Sequence, residues 1–252
     1  MPPTSQRPQM RAKRVIAQTK FETISVLRNG EQLLLSLILP LGMLIFLGKA
    51  PLLSGLGIVG PGADPLTVAL PGALSLCLAS TAFTGQAIAT AFDRRYGVLR
   101  QLATTPLGTN GLILGKLGAV VAVVVIQFIL AFAIAVGLGF NSPVNPLALI
   151  LTTLLGTAAL LSLGLLMAGT VRAEATLAGA NLIWVLMAGV GGLVIAHPGE
   201  WGTVVGYLPS GALGDAMRAA VGGAGFDIKA LIVLLAWGLL GTFAARRWFR
   251  FE

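Results

Sequence analysis

Residues 112–140 read LILGKLGAVVAVVVIQFILAFAIAVGLGF, and this run decides the class of fold. Its one ionisable side chain is Lys116, near the start. A bilayer core takes about 20 apolar residues as helix, so the run is long enough to cross and tilt. Five more apolar runs bracket it. They cover 33–53 (with Pro40 inside), 66–92, 146–171, 175–196 and 228–245. The whole chain is 56% hydrophobic and 10% charged, against roughly 25% charged in soluble domains. The reading is an all-α membrane protein of six transmembrane helices.

The remaining segments add detail. Met1–Gln9, rich in proline and polar residues, is expected to be unstructured. Met10–Asn29 interleaves Val15, Ile16, Thr19, Ile24, Val26 and Leu27 with Arg11, Lys13, Arg14, Lys20 and Arg28. That pattern predicts an amphipathic helix on an anionic inner leaflet. It lacks the short charged region and small-residue cleavage site of a signal peptide. The division is therefore 1–30, cytoplasmic tail and interfacial helix, and 31–252, a six-span domain. The segment 197–227 between spans five and six is too long for a turn. Pro209 interrupts it and Gly222, Gly223 and Gly225 end it, which predicts short re-entrant outer helices.

Charge sets orientation. With both termini inside, inner segments hold 14 of the 17 Lys and Arg, and outer ones hold Lys49, Arg218 and Lys229. The rule for basic loops places both termini in the cytoplasm of a multi-pass protein of the cell membrane. The same flanking placement argues against nucleic acid as the partner of this net charge of +8.

Between runs two and three lies a basic, half-apolar island, Asp93–Leu107, DRRYGVLRQLATTPL. Gly97 breaks the preceding helix and Pro106 stops a new one. Val98, Leu99 and Leu102 share one face of the short helix between, flanked by Arg95 and Arg100. Two turns of helix are unstable alone in water, so a partner's groove is expected to hold them.

The spans carry little chemistry. No carboxylate lies mid-run, which counts against an ion-coupled carrier and a hydrolase. His197 and Cys77 are the sole residues of their kinds, so no metal site or internal disulfide is expected. Gly115-Lys116 ends like a P-loop, but Asn110 stands at its first glycine and Leu117 at its Ser/Thr. No ATP site follows, and any ATP and Mg²⁺ would belong to a partner subunit. Gln127 and Asn181 are the polar residues expected mid-span. Interhelical hydrogen bonding is favoured for them over substrate contact. Small-xxx-small pairs occur at Gly111/Gly115 and Ala188/Gly192. Arg172 and Glu174 flank a tight charged turn between runs four and five.

Three features together resemble the ABC-2 permeases, membrane subunits of ATP-binding-cassette exporters of the daunorubicin-resistance type. They are the amphipathic start leading through Arg28-Asn29-Gly30 to the Pro40 span, and Asp93-Arg94-Arg95-Tyr96-Gly97 with Leu102 and Thr105-Pro106-Leu107. The third is Tyr207-Leu208-Pro209 followed by Asp215, Met217 and Arg218. Asp93 stands where many members have Glu, and Arg95 where many have another acid. The resemblance implies a non-catalytic subunit with a coupling helix at Val98–Thr104, in a loop spanning 93–108. Val98, Leu99, Arg100, Leu102, Thr105 and Pro106 would dock a cytoplasmic ABC ATPase, and Asp93, Arg94 and Gly97 would shape the loop. It further implies a second permease chain, identical or homologous, surrounding lipid, and export of an apolar or amphipathic drug-like or lipid-like substrate by alternating access. A stand-alone carrier or channel is the alternative, and it would transport without any ATPase.

Overall fold

A computed structural model describes residues 6–50, 52–60, 63–99 and 108–249. Every regular element among them is helical. Helix α1 (Gln6–Arg28) comes first, and it starts inside the stretch expected to be unstructured. Next comes one continuous helix made of α2 (Gly30–Leu33), a π-helical turn at Leu34–Ile38, and α3 (Leu39–Lys49). After α4 (Leu52–Gly55) a second continuous helix joins α5 (Leu66–Ala79), a π-helical segment Ser80–Gly85, and α6 (Gln86–Arg95). Then follow α7 (Gly108–Gly137), α8 (Pro146–Thr170), α9 (Ala173–Gly189), α10 (Gly199–Val205), α11 (Pro209–Val221) and α12 (Ile228–Trp248).

Four stretches are long and apolar enough to cross a membrane: Leu66–Arg95, Leu114–Gly137, Pro146–Thr170 and Ile228–Trp248. Leu34–Lys49 and Ala173–Gly189 are apolar but shorter. The starts of α8 and α12 follow from their caps. Asn145 Oδ1 accepts from the Ala148 N–H and Asp227 Oδ1 accepts from the Ala230 N–H, which satisfies first-turn amides that have no helical partner.

The α5–α6 rod is the centre of the bundle. Nearly all of α5 is buried, with α3, α7 and α11 against it, while α6 packs on α8 and α9. Helix α12 lies along α8, where Gly238 and Gly241 let it approach Ala158, Ala159 and Ser162 closely. Its other side exposes Ile232, Leu235, Leu239, Leu240 and Phe243, as expected of a surface facing lipid.

Helix α1 packs on α7. Gln18 and Thr19 turn inward and fill the space beside Gly115 and Gly118 of α7, while Ile16, Phe21 and Ile24 point out. Two glycines one turn apart make a groove that admits polar side chains at close range. Two expectations are corrected. The first concerns the fifth run, which leaves the helix at Gly189 instead of continuing to Ala196. Gly192 has a φ of +73°, and Gly191, Gly192, Leu193 and Val194 are buried as irregular chain. Ala188 and Gly192 therefore do not pair on one helix face. The second concerns the first run, whose helix ends at Lys49, before Leu53.

Candidate functional site

The site grows from the last turn of α6, where Asp93, Arg94 and Arg95 follow one another and each ties to a different element. Lys116 Nζ donates to Asp93 Oδ2 at 2.9 Å and lies 3.3 Å from Glu22 Oε1. Gln18 Nε2 in turn donates to Glu22 Oε1 at 3.0 Å. The lysine side chain is only 5% exposed, with Asp93 at 29% and Glu22 at 14%. One cation thus joins α1, α6 and α7 where water screens poorly. Arg94 Nη2 donates to the Val171 carbonyl at 2.6 Å, just past the end of α8, where carbonyls carry the negative end of the helix dipole. Arg95 pairs with Glu174 in the first turn of α9. Both of those side chains are about half or more exposed, so their attraction is weak.

Beyond this root, Tyr96 stacks on Phe92 with centroids 6.0 Å apart, and Arg95 sits 5.8 Å from the Tyr96 ring centre. Tyr96 is itself largely exposed. Gly97 ends the helix as its sequence position requires, with a φ of +74° that side-chain-bearing residues avoid. Val98 and Leu99 are helical, Val98 half-buried and Leu99 buried within its own chain. Arg100, Leu102, Thr104, Thr105 and Pro106 lie outside the described residues.

The same end of the bundle holds the turn between α8 and α9 and the end of α12, where Phe249 packs on Gly169. Reading the sequence alone missed Lys116, Glu22 and Tyr96. A lone lysine in the third turn of an apolar helix was the available sign, since it needs a buried acid.

Gln127 is fully buried, with a defined task. Its Nε2 donates to the Ser36 carbonyl at 2.7 Å and to Thr81 Oγ1 at 2.9 Å, and Thr81 donates back to its Oε1 at 3.2 Å. Ser36 stands four residues before Pro40, whose ring nitrogen cannot serve that carbonyl. Gln127 supplies the missing donor and joins the two π-helical segments. These hydrogen bonds join three helices. Asn181 is half-buried on α9, its side chain forms no hydrogen bond among the described residues, and it is not brought to Gln127.

At the other end, Arg218 closes the broken end of α9. Its guanidinium donates to the Gly192 and Val194 carbonyls at 3.1 and 3.2 Å and to Asp215 Oδ1 at 2.7 Å. Gly211 and Gly214 of α11 lie against Val205 and the Gly192–Leu193 backbone with no room for a side chain. The buried irregular chain is thereby covered by protein.

A central helical rod with a charged root at one end and a sealed broken helix at the other, among four helices long and apolar enough to cross a membrane, defines a polytopic membrane protein. The family model for ABC-2 family transporter protein matches residues 65–246, well over half of the chain. The chain belongs to the ABC-2 transporter family and is a membrane permease of ABC-exporter type. Such permeases are normally non-catalytic membrane subunits, and membership implies partnership with an ABC ATPase. No curated protein and no solved structure matches the chain.

Proposed function

We propose that the chain is the transmembrane half of an ATP-driven exporter, crossing the cell membrane six times with both termini in the cytoplasm. The two shorter apolar helices complete the six. Helix α2, the π-turn and α3 together reach Gly30–Lys49, which is close to the roughly 30 Å a bilayer core requires at about 1.5 Å per residue. Helix α9 covers about 25 Å at that rise, and the protein-covered chain after it fills the remainder.

One observation carries the coupling mechanism: the three consecutive charges at the root of the 93–108 loop are tied to α1, α7, the end of α8 and the start of α9. A push on the loop is then delivered to several helices together, with the α5–α6 rod as lever. A separate cytoplasmic ATPase, holding ATP and Mg²⁺, supplies that push by receiving the short helix around Val98–Thr104. Exposed Tyr96 and Arg95 border the contact, and these residue types are favoured at interface anchors. Two permease chains would enclose the pathway between them, and an apolar or amphipathic substrate suits its apolar helices.

The test is mild-detergent purification of the tagged chain from its native membrane. A soluble ATPase is expected in stoichiometric amount, and Leu102→Asp is expected to lose it while the permease still inserts. A preparation that transports in liposomes with no ATPase would overturn the reading in favour of a stand-alone carrier.

A further inference from the structure

Between the two π-helical segments, on the same half of the bundle as the loop root, lies a cavity of about 100 Å³. Asn29, Gln32, Ser36, Ser80 and Thr84 give it a polar wall, and Leu35, Ile88, Ala89 and Leu177 an apolar one. Ser36 is 1% exposed and Thr84 4%, yet Ser36 Oγ, Thr84 Oγ1 and Gln32 Nε2 find no hydrogen-bond partner among the described residues. Buried hydroxyls and amides without partners are costly, and here three line one space. Gly85 makes room for the Gln32 amide in this wall, since a Cβ there would overlap it.

The chemistry of the wall selects its occupant. No ionisable side chain lines the cavity among the described residues, so a phosphate or an ammonium would lose its water and gain no counter-charge. A hydroxyl, sugar or amide group would find an amide donor and two hydroxyls able to donate or accept. Leu35, Ile88, Ala89 and Leu177, the apolar side chains of its wall, are only half-buried, so the way in is through lipid. We infer that this cavity is a binding subsite for the neutral, hydrogen-bonding head group of an amphiphile drawn from the membrane. The inference rests on the exporter reading for its purpose. Its test needs no ATPase, so the two can fail separately.

The full chain is placed in phosphatidylcholine nanodiscs doped with photoactivatable monoglucosyl diacylglycerol or photoactivatable phosphatidic acid of the same acyl chains, and lipid adducts are mapped by mass spectrometry. The glucosyl lipid is expected to label the 32–36 and 84–89 segments about tenfold more than phosphatidic acid, the ratio one or two hydrogen bonds supply. Both lipids should label the outward face of α12 equally. Ser36→Ala with Thr84→Val should erase the preference. Leu177→Trp, which fills the cavity from its apolar side and leaves the polar wall intact, should erase the labelling itself. Equal labelling by the two lipids, a preference that survives both variants, or labelling of α12 with none in the cavity would overturn the inference. Displacement by millimolar methyl glucoside would overturn the membrane as the source.

Discussion

At the end of the bundle that carries the loop root, helices are joined through long side chains. Lys116 reaches Asp93 and Glu22, Arg94 reaches the end of α8, and Arg95 reaches Glu174. At the opposite end, backbone lies almost on backbone. Gly211 and Gly214 press against Val205 and the Gly192–Leu193 chain, and one arginine holds the carbonyls left over. Long side chains can follow their partners through small helix shifts and keep their contacts. Glycine-to-carbonyl packing has one geometry and resists any change. The first arrangement suits a part that moves against its neighbours, the second a part that keeps a shape.

This contrast can be broken by mutation, and the largest effect should come from the sealed end. Gly214→Val drives a branched side chain into the Gly192 and Leu193 carbonyls, and is expected to cost about 3 kcal/mol or more in detergent thermal unfolding. Arg218→Met strips the donors from two carbonyls and leaves Asp215 without its partner, and should cost about 2–3 kcal/mol, with Arg218→Lys restoring part of it. At the charged end, Lys116→Met should cost less, about 1–2 kcal/mol, because it strands no backbone carbonyl and the acids it leaves are on side chains that can turn toward water. Adding Asp93→Asn to it should recover stability, since the second change removes the charge the first one orphaned. A Lys116→Met cost equal to that of Arg218→Met, with no recovery in the double variant, would mean that both ends are equally rigid. Glu174→Gln should be the mildest, within about 0.5 kcal/mol, since its pair with Arg95 is solvent-exposed.

Much of the fold is written locally. Pro146 after Asn145, and Ile228 after Asp227, mark helix starts through capping chemistry that neighbours in the chain complete. Gly97 marks a stop for the same reason. What escaped depends on residues far apart. Hydropathy stays high through Leu193, Val194 and Ile195 whether they are helix or buried irregular chain, because both are apolar surroundings. The face of α1 toward α7 is polar at Gln18 and Thr19 because Gly115 and Gly118 lie opposite, which no pattern within α1 reveals. Of the candidate site, Asp93, Arg94 and Gly97 could be read from the motif, whereas Glu22 and Lys116 acquire meaning only once α1 and α7 are side by side. Gln127 and Pro40 were both conspicuous, but their link runs through the Ser36 carbonyl, which side-chain patterns do not report.

The two π-helical segments give the central rods a phase error. A helix that closes a bond from the Leu39 N–H to the Leu34 carbonyl, five residues back, holds one residue more in that turn than the α-helix around it. Each residue of an α-helix turns the chain by about 100°, so passing that extra residue along, or expelling it, would rotate one half of a rod against the other like a key in a lock. Deleting Ala82 from the Ser80–Gly85 segment would let α5 and α6 join as an unbroken α-helix. The last turn, with Asp93 to Arg95, would keep facing Lys116, Val171 and Glu174, because the extra residue was taken up within its own turn, and the rod would lose its capacity to rotate one half against the other.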